Sequence, residues 1–285
     1  MTTSSIVPDN QAQKENTTLK NNEKPFGYYQ FEGYKKAFYK WAQKLPKNVI
    51  AFKIGLVLRK LTLQNKTSTV DANQFGLNLR LYPIDNLGDR FLLFMPKYFE
   101  YDEFQLMSTY LKPDSTFIDI GGNMGIYSLT AAKYIKDKGR ILAFEPNPVM
   151  IARFGFNIAA NGFEKLIDLN TIGIADKNSS FNLALPDSNL GGASIVGKAE
   201  TNITIQCRPL VDVLKEKQIE HIDLLKIDIE NAEPLALNPF FRDAPRSLYP
   251  KSSFIESDEN IDLEGYGYRF KTRTRAHNSI YILKD

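Results

Sequence analysis

One cysteine, one tryptophan and two histidines are all that 285 residues hold of three side-chain types prominent in stapled or metal-bound domains. Cys207 has no intrachain partner, so a disulfide framework is excluded. No apolar run reaches the roughly 18 residues that a membrane-spanning helix needs, and no signal-type apolar stretch follows Met1, so the expected address is the cytoplasm. A G-x-x-x-x-G-K-[ST] phosphate loop is missing, which removes the main support for ATP or GTP chemistry. An N-P-P-[YF] base-flipping signature is missing too, and no nucleic-acid partner is expected. What the chain has in quantity is aromatic side chain. With 19 Phe and 14 Tyr in a composition 43% hydrophobic and 24% charged, most of it must bury a core.

The formal charge of +3 is unevenly spread. Residues 1–30, rich in Thr, Ser, Asn, Gln and Lys, read as a disordered tail. Residues 31–66 carry Lys35, Lys36, Lys40, Lys44, Lys47, Lys53, Arg59, Lys60 and Lys66 against Glu32 alone, in front of a mildly acidic body. Within them Tyr34, Phe38, Trp41 and Leu45 recur at helical spacing, Pro46 ends that helix, and a second runs from about Val49 to Leu61. Two basic amphipathic helices of this kind can lie on an anionic membrane surface or grip another protein. Equally, they can cap the main domain with their lysines simply solvated. Residues 67–112 read as a β-hairpin and a helix leading into the core. Phe75, Leu77, Leu79 and Leu81 form one strand, Phe91–Met95 the returning strand, and Tyr101–Leu111 the helix.

From 113 to 285 strand and helix signals alternate. Strand candidates are Thr116–Ile120, Arg140–Glu145, Ile167–Ile174, Asp223–Asp228, Ser253–Glu256, Tyr266–Lys271 and Ser279–Leu283. Helical stretches near Tyr127–Lys136, Pro148–Asn161, Pro209–Lys217 and Ala232–Phe240 separate the earlier ones. The alternation predicts an α/β fold, a doubly wound, mostly parallel seven-stranded sheet of Rossmann-like type, closed by a terminal antiparallel hairpin. A β-rich insertion at about 180–207, around Gly191 and Gly192, breaks the rhythm.

The most informative segment is Phe117-Ile118-Asp119-Ile120-Gly121-Gly122-Asn123-Met124-Gly125. An apolar strand ends in Asp119, and glycines then let the chain turn into a helix where ligands of open α/β sheets bind. The spacing does not fit G-x-G-x-x-G. Twenty residues beyond Gly125, Glu145 closes the next strand, where a carboxylate can accept from both hydroxyls of a ribose. Turn and acid together specify a nucleoside without phosphates. S-adenosylmethionine meets that description, with Asp119 facing its cationic amino-acid end. Gly121, Gly122, Asn123, Gly125, Glu145 and Asn147 are therefore candidate cofactor residues. Asp176, just beyond the Ile167–Ile174 strand candidate, is counted with them.

Here the chain resembles the FkbM-type S-adenosylmethionine-dependent methyltransferases from about Ser115 to Glu256. Phe117–Gly125 is similar to that family's D-x-G-A-N-x-G, and Glu145-Pro146-Asn147-Pro148 to its E-P-N-P. Leu224–Glu233 is similar to its L-L-K-I-D-V-E-G-A-E, Asn157 to its helix asparagine, and Phe254-Ile255-Glu256 to its closing strand. Gly122 stands in place of Ala and Asn231 in place of Gly; Asn tolerates the left-handed backbone, so that turn is expected to survive. The resemblance implies a class I methyltransferase fold and methylation of a hydroxyl on a carbohydrate or other small-molecule acceptor. A different reading is a catalytically silent module of the same fold that docks on a membrane or a biosynthetic complex.

Transfer to a hydroxyl needs a proton acceptor or a metal. Lys226 and Asp228 share one face of a strand, with Glu230 and Glu233 just beyond and Glu256 and Asp258 at the end of the next. They offer a base, with Asp228, Glu230 and Lys226 as catalytic candidates, or two to three oxygen ligands for a divalent cation. No metal is assigned. If the last strand is antiparallel, the loop holding His277 projects over the same rim. Lys271, Arg273, Arg275 and His277 would then form one basic face for an anionic acceptor, with His277 as a base near neutral pH.

Overall fold

The computed structural model describes residues 10–64, 68–183, 190, 192–195, 203–275 and 277–284. Helices α1 (Asn10–Asn22), α2 (Gly33–Lys44) and α3 (Val49–Thr62) precede a hairpin of β1 (Val70–Gln74) and β2 (Leu77–Leu81). Then come α4 (Leu87–Phe94) and α5 (Tyr101–Tyr110). Strand and helix next alternate through β3 (Thr116–Ile120), α6 (Ile126–Ala131), β4 (Arg140–Phe144), α7 (Pro148–Asn161) and β5 (Ile167–Asn170). Three short strands follow, β6 (Gly173–Ile174), β7 (Ser179–Asn182) and β8 (Thr204–Arg208). The chain closes with α8 (Leu210–Glu216), β9 (Leu224–Ile227), α9 (Glu233–Asp243), β10 (Ser252–Ile255), β11 (Tyr268–Arg273) and β12 (Ser279–Leu283).

The central sheet has the order β11-β12-β10-β9-β3-β4-β5. β10, β9, β3, β4 and β5 run parallel, while β12 pairs antiparallel with β10 and β11. Helices cover both faces, so β3, β9 and β10 are buried along their whole length, and most of their side chains are apolar, with Asp119 and Lys226 as the buried charged exceptions. Neighbouring residues go to opposite cores. Phe117, Leu224 and Phe254 pack with α6 and the amino-terminal elements, while Ile118, Leu225 and Ile255 pack with α8 and α9. Strand order reverses at β3, which has β4 on one side and β9 on the other. That reversal opens a crevice at the carboxyl ends of the strands.

The amino-terminal segment departs from the sequence reading in two places. Residues 10–22, assigned to a disordered tail, form α1, which lies against α7 with Thr18 buried; residues 1–9 lie outside the described ones. Polar bonds hold this segment rather than an apolar stripe. Asn22 donates to the Ala152 carbonyl at 2.8 Å, and buried Arg80 donates to the carbonyls of Asn21, Lys24 and Pro25. Arg80 also makes two bonds to Asp71, at 2.7 and 3.0 Å, with both side chains fully buried. Replacing Asp71 by Leu strands that guanidinium, and a loss of about 3–5 kcal/mol in denaturant unfolding is expected. The second departure is Phe91–Met95, which is helical as the end of α4 and its cap; the partner of β2 is β1. Phe75 and Gly76 take left-handed φ values of 53° and 78°, the pairing that a two-residue hairpin turn demands. Asn86 caps α4 by accepting from Asp89.

The segment Ile167–Ile174 divides between two sheets. β5 ends the large one, and β6 joins β8 and β7 in a separate three-stranded sheet. The expected β-rich insertion is represented by β7 and β8, and Gly191 lies outside the described residues. Among the described residues, no helix is long and apolar enough to cross a membrane.

Candidate active site

The turn after β3 is built on glycines that have no substitute. Gly121 sits at φ 83°, and a Cβ there would lie 2.0 Å from the carbonyl oxygen of Asp228. At Gly125, φ 96°, a Cβ would meet the Phe154 ring at 2.2 Å. Gly121→Ala is therefore expected to cost about 3 kcal/mol or more in denaturant unfolding. Gly155→Ala, in the interior of α7 with open space around its Cβ, should instead stabilise by roughly 0.5–1 kcal/mol.

Three side chains anchor the turn. Oδ2 of Asp119 takes hydrogen bonds from the backbone NH of Ser128 at 3.1 Å and its hydroxyl at 2.6 Å. The Glu145 carboxylate accepts from the NH groups of Asn123 and Asn147, both at 2.8 Å. Asn157 accepts from the Arg80 NH at 2.7 Å and donates to the Met124 carbonyl at 3.1 Å, tying the hairpin to the turn. Asn147 caps α7 through the NH of Val149. At the other end of the crevice, Glu230 and Asn231 take φ values of 55° and 70°, so Asn231 fills the left-handed position expected of it.

Two adjoining cavities occupy the crevice and share Gly121 and Asp228. The first holds about 560 Å³ of space between apolar walls (Phe144, Pro146, Met150, Ile172, Ile174), with the carboxyls of Glu145 and Asp228 in its lining. The second, about 1030 Å³, is lined by six acids, Asp89, Glu100, Asp119, Asp228, Glu230 and Glu256, against one amine, Lys226. Lys226 is buried; its Nζ lies 3.1 Å from Asp228 and 5.0 Å from the centre of the Tyr127 ring.

Across the two cavities the acids outnumber the one amine, and burial shifts most of their pKa values. Burial lifts Glu145 to about 7 and Asp119 to about 6, against the bonds they accept. Burial raises Asp228 too, but Lys226 and a proton from Glu256 outweigh it and hold the carboxyl below its ordinary value. Glu256 is pushed up by burial and by that shared proton. Burial and the neighbouring Glu103 push Glu100 up, and its Oε2 has no hydrogen-bond partner among the described residues. An apolar slot with a carboxyl at its edge, next to a chamber whose acids outnumber its one amine, suits a ligand joining a flat ring and a hydroxylated sugar to a cation. No group of three or more His, Cys, Asp or Glu side chains placed to hold a metal occurs among the described residues.

Of the residues singled out in the sequence, Asp119, Gly121, Gly122, Asn123, Lys226, Asp228 and Glu230 line the acid-rich cavity, and Glu145 the apolar one. Gly125 and Asn147 brace the walls. Several fall elsewhere. Asp176 is exposed and outside both linings, since this stretch reaches the crevice through Ile172, Gly173 and Ile174. Glu233 is buried and caps the turn through the Ile229 NH, and Asp258 accepts from the Tyr281 hydroxyl. His277 is in the rim loop, as the antiparallel pairing requires, but exposed and absent from the cavity linings. The basic face does not form. Lys271 and Arg275 meet Tyr110 and Asp102 of α5, while Arg273 meets Asp258, and a bulge shifts the register at Lys271.

Asn86 and Glu100 were not foreseen. Asn86 donates to the Asn123 side chain at 3.1 Å, and Glu100 enters the cavity from a left-handed backbone (φ 46°) ahead of α5. In sequence, an acid beside Asp102 and Glu103 looks like an ordinary helix start.

The Methyltransferase FkbM domain matches residues 119–270, more than half of the chain. A curated relative, Methyltransferase sdnD of Sordaria araneosa, is 29% identical over 42% of this chain and 59% of its own length. Among solved structures, the METTL16 methyltransferase domain aligns with a TM-score of 0.46 at 15% identity, covering 87% of this chain and 88% of that one. M. jannaschii TYW2, solved with AdoMet, aligns at 0.38 and 11% identity, covering 75% and 84%. From the family match over the glycine turn after β3, the acid at the end of β4 and the Lys226-bearing strand β9, the chain belongs to the FkbM methyltransferase-domain family.

Proposed function

We propose that the protein is an S-adenosylmethionine-dependent methyltransferase that methylates a hydroxyl of a small-molecule acceptor, on a carbohydrate or other hydroxylated compound. The observation that carries this reading is the joining, at Gly121 and Asp228, of an apolar slot edged by Glu145 to a chamber whose carboxyl groups outnumber its one amine. When bound, S-adenosylmethionine supplies an already activated methyl group on a sulfonium. In this reading the first cavity takes the adenosine, with Glu145 accepting from the ribose hydroxyls. Asp119 and its neighbours receive the cationic amino-acid end.

The remaining work falls to this chain's own side chains. Lys226 fixes Asp228 in its ionised form, ready to accept a hydrogen bond from the acceptor hydroxyl and aim its oxygen. As that oxygen attacks, its proton passes to the Asp228–Glu256 pair. Glu100, entering from the amino-terminal side, contributes a second carboxyl to the acceptor's end of the chamber.

The test is incubation with labelled S-adenosylmethionine and a panel of hydroxylated compounds, read by mass spectrometry for a gain of one methylene. Methyl gain at oxygen with matching release of S-adenosylhomocysteine is the expected result. Methyl gain at nitrogen or carbon would overturn the hydroxyl assignment.

A pH dependence follows from the raised carboxyls. A cationic ligand lowers their pKa values, so binding releases protons and affinity rises with pH. Below Glu145's value of about 7 this carboxyl must first give up its proton, so affinity should fall steadily there. Calorimetry in buffers of different ionisation enthalpy measures the proton release; proton uptake on binding would contradict the assignment.

A further inference from the structure

The outer surface of α2 and α3 has no role in the site just described, and its composition is unlike the rest of the molecule. Along α3 the exposed positions are Val49, Ile50, Lys53, Ile54, Val57 and Lys60, which fall on one arc of the helix. Val49 and Ile50 are 72% and 73% exposed, so these side chains have no packing partner of their own. On α2 the exposed arc sets Tyr34 and Trp41 beside Lys36, Lys40 and Lys44. Neither arc contains an acid. The opposite faces of both helices are already used: Phe38, Ala42, Phe52 and Leu58 pack into the core. The outer apolar side chains are therefore surplus to folding.

We propose that this α2–α3 surface docks on an anionic lipid bilayer. Charge complementarity decides the occupant: residues 31–66 hold nine basic side chains and one acid, the pattern that concentrates at negative headgroups. Branched aliphatics flanked by Lys, with one Trp and one Tyr at the edge, match the layered chemistry of the bilayer interface. A protein partner with an apolar groove would satisfy the aliphatics but leave the lysine rows unmatched. The surface also adjoins the site. Lys47, Val49 and Phe52 line a cavity of about 840 Å³ whose inner wall includes Glu100, a residue that also lines the acid-rich chamber. Docking would turn that opening toward the membrane.

Trp41 is the only tryptophan in the chain, so its fluorescence reports on this surface alone. The full chain is titrated with vesicles of phosphatidylcholine containing about one-third phosphatidylglycerol, and sedimentation is followed in parallel. The expected result is a blue shift of Trp41 emission and salt-sensitive co-sedimentation. The Lys36→Glu/Lys40→Glu/Lys53→Glu variant should bind about two orders of magnitude more weakly, at roughly fivefold per basic residue. Ile50→Glu/Val57→Glu should abolish the shift, with thermal unfolding unchanged because both positions are exposed. No shift and no sedimentation at low salt would overturn the proposal, as would binding by both variants at wild-type strength. A blue shift that appears with rising protein concentration in the absence of vesicles, and is removed by Ile50→Glu/Val57→Glu, would overturn it in favour of a second copy of this chain.

Discussion

Asp228→Asn is expected to lower kcat by about a thousandfold while leaving the fold intact, because the replacement is isosteric and removes only the charge. The size follows from the position of this carboxyl. It lies 3.1 Å from the Lys226 amine and borders both cavities, so a ligand crossing from one to the other passes it. The variant also alters its neighbour. With the negative charge gone, Glu256 no longer shares a proton with Asp228, and its pKa falls from the raised value it has beside an ionised partner. The kcat profile should therefore shift along the pH axis as well as drop, with Glu256 partly replacing the lost carboxylate. Glu256→Gln in addition should remove that residue of activity. Steady-state kinetics over pH would show both effects. A kcat within threefold of the wild type would mean that Asp228 takes no part in the chemistry, and that its pairing with Lys226 serves only to neutralise a buried amine.

Glu145→Ala is expected to weaken binding of S-adenosylmethionine and S-adenosylhomocysteine alike by about a hundredfold to ten-thousandfold. Two hydrogen bonds from ribose hydroxyls to a carboxylate are worth about 1.5–3 kcal/mol each. Each Glu145 oxygen already accepts one backbone NH, from Asn123 or Asn147, and keeps a second acceptor position for a ligand. Truncation also strands those two NH groups, so some loss of stability will accompany the loss of affinity. Glu145→Gln separates the two effects, since its amide oxygen can still accept from one NH while the carboxylate is gone. Equal losses for the two ligands are diagnostic, because they share adenosine and differ at sulfur. A loss confined to S-adenosylmethionine would point to the acid-rich chamber as the site of the effect.

Much of this fold is legible in the residues because buried parallel strands must be apolar and the turns between them must be small. Phe117-Ile118, Leu224-Leu225 and Phe254-Ile255 announce themselves this way, as does the glycine turn after Ile120. Polar architecture is harder to see. Helix α1 has no apolar stripe, and the segment it begins is held through carbonyls donated to by Arg80, whose partner Asp71 lies nine residues away on another strand. Phe91–Met95 is an apolar run too short to declare strand or helix by itself; the cap at Asn86 decided it. The basic face failed for a similarly local reason, since its cations find acidic and phenolic partners on two different elements, Lys271 and Arg275 on α5 and Arg273 at Asp258. Glu100 was hidden because a left-handed backbone leaves no trace in a pattern of acids.

Equilibrium binding of S-adenosylhomocysteine to the full chain, followed by calorimetry, tests the central claim most directly, because it needs no knowledge of the acceptor. One molecule should bind per chain, with the affinity lost in Glu145→Ala and retained in Ile50→Glu/Val57→Glu. A folded wild-type protein that gives no heat with either S-adenosylhomocysteine or S-adenosylmethionine would contradict the assignment of the crevice.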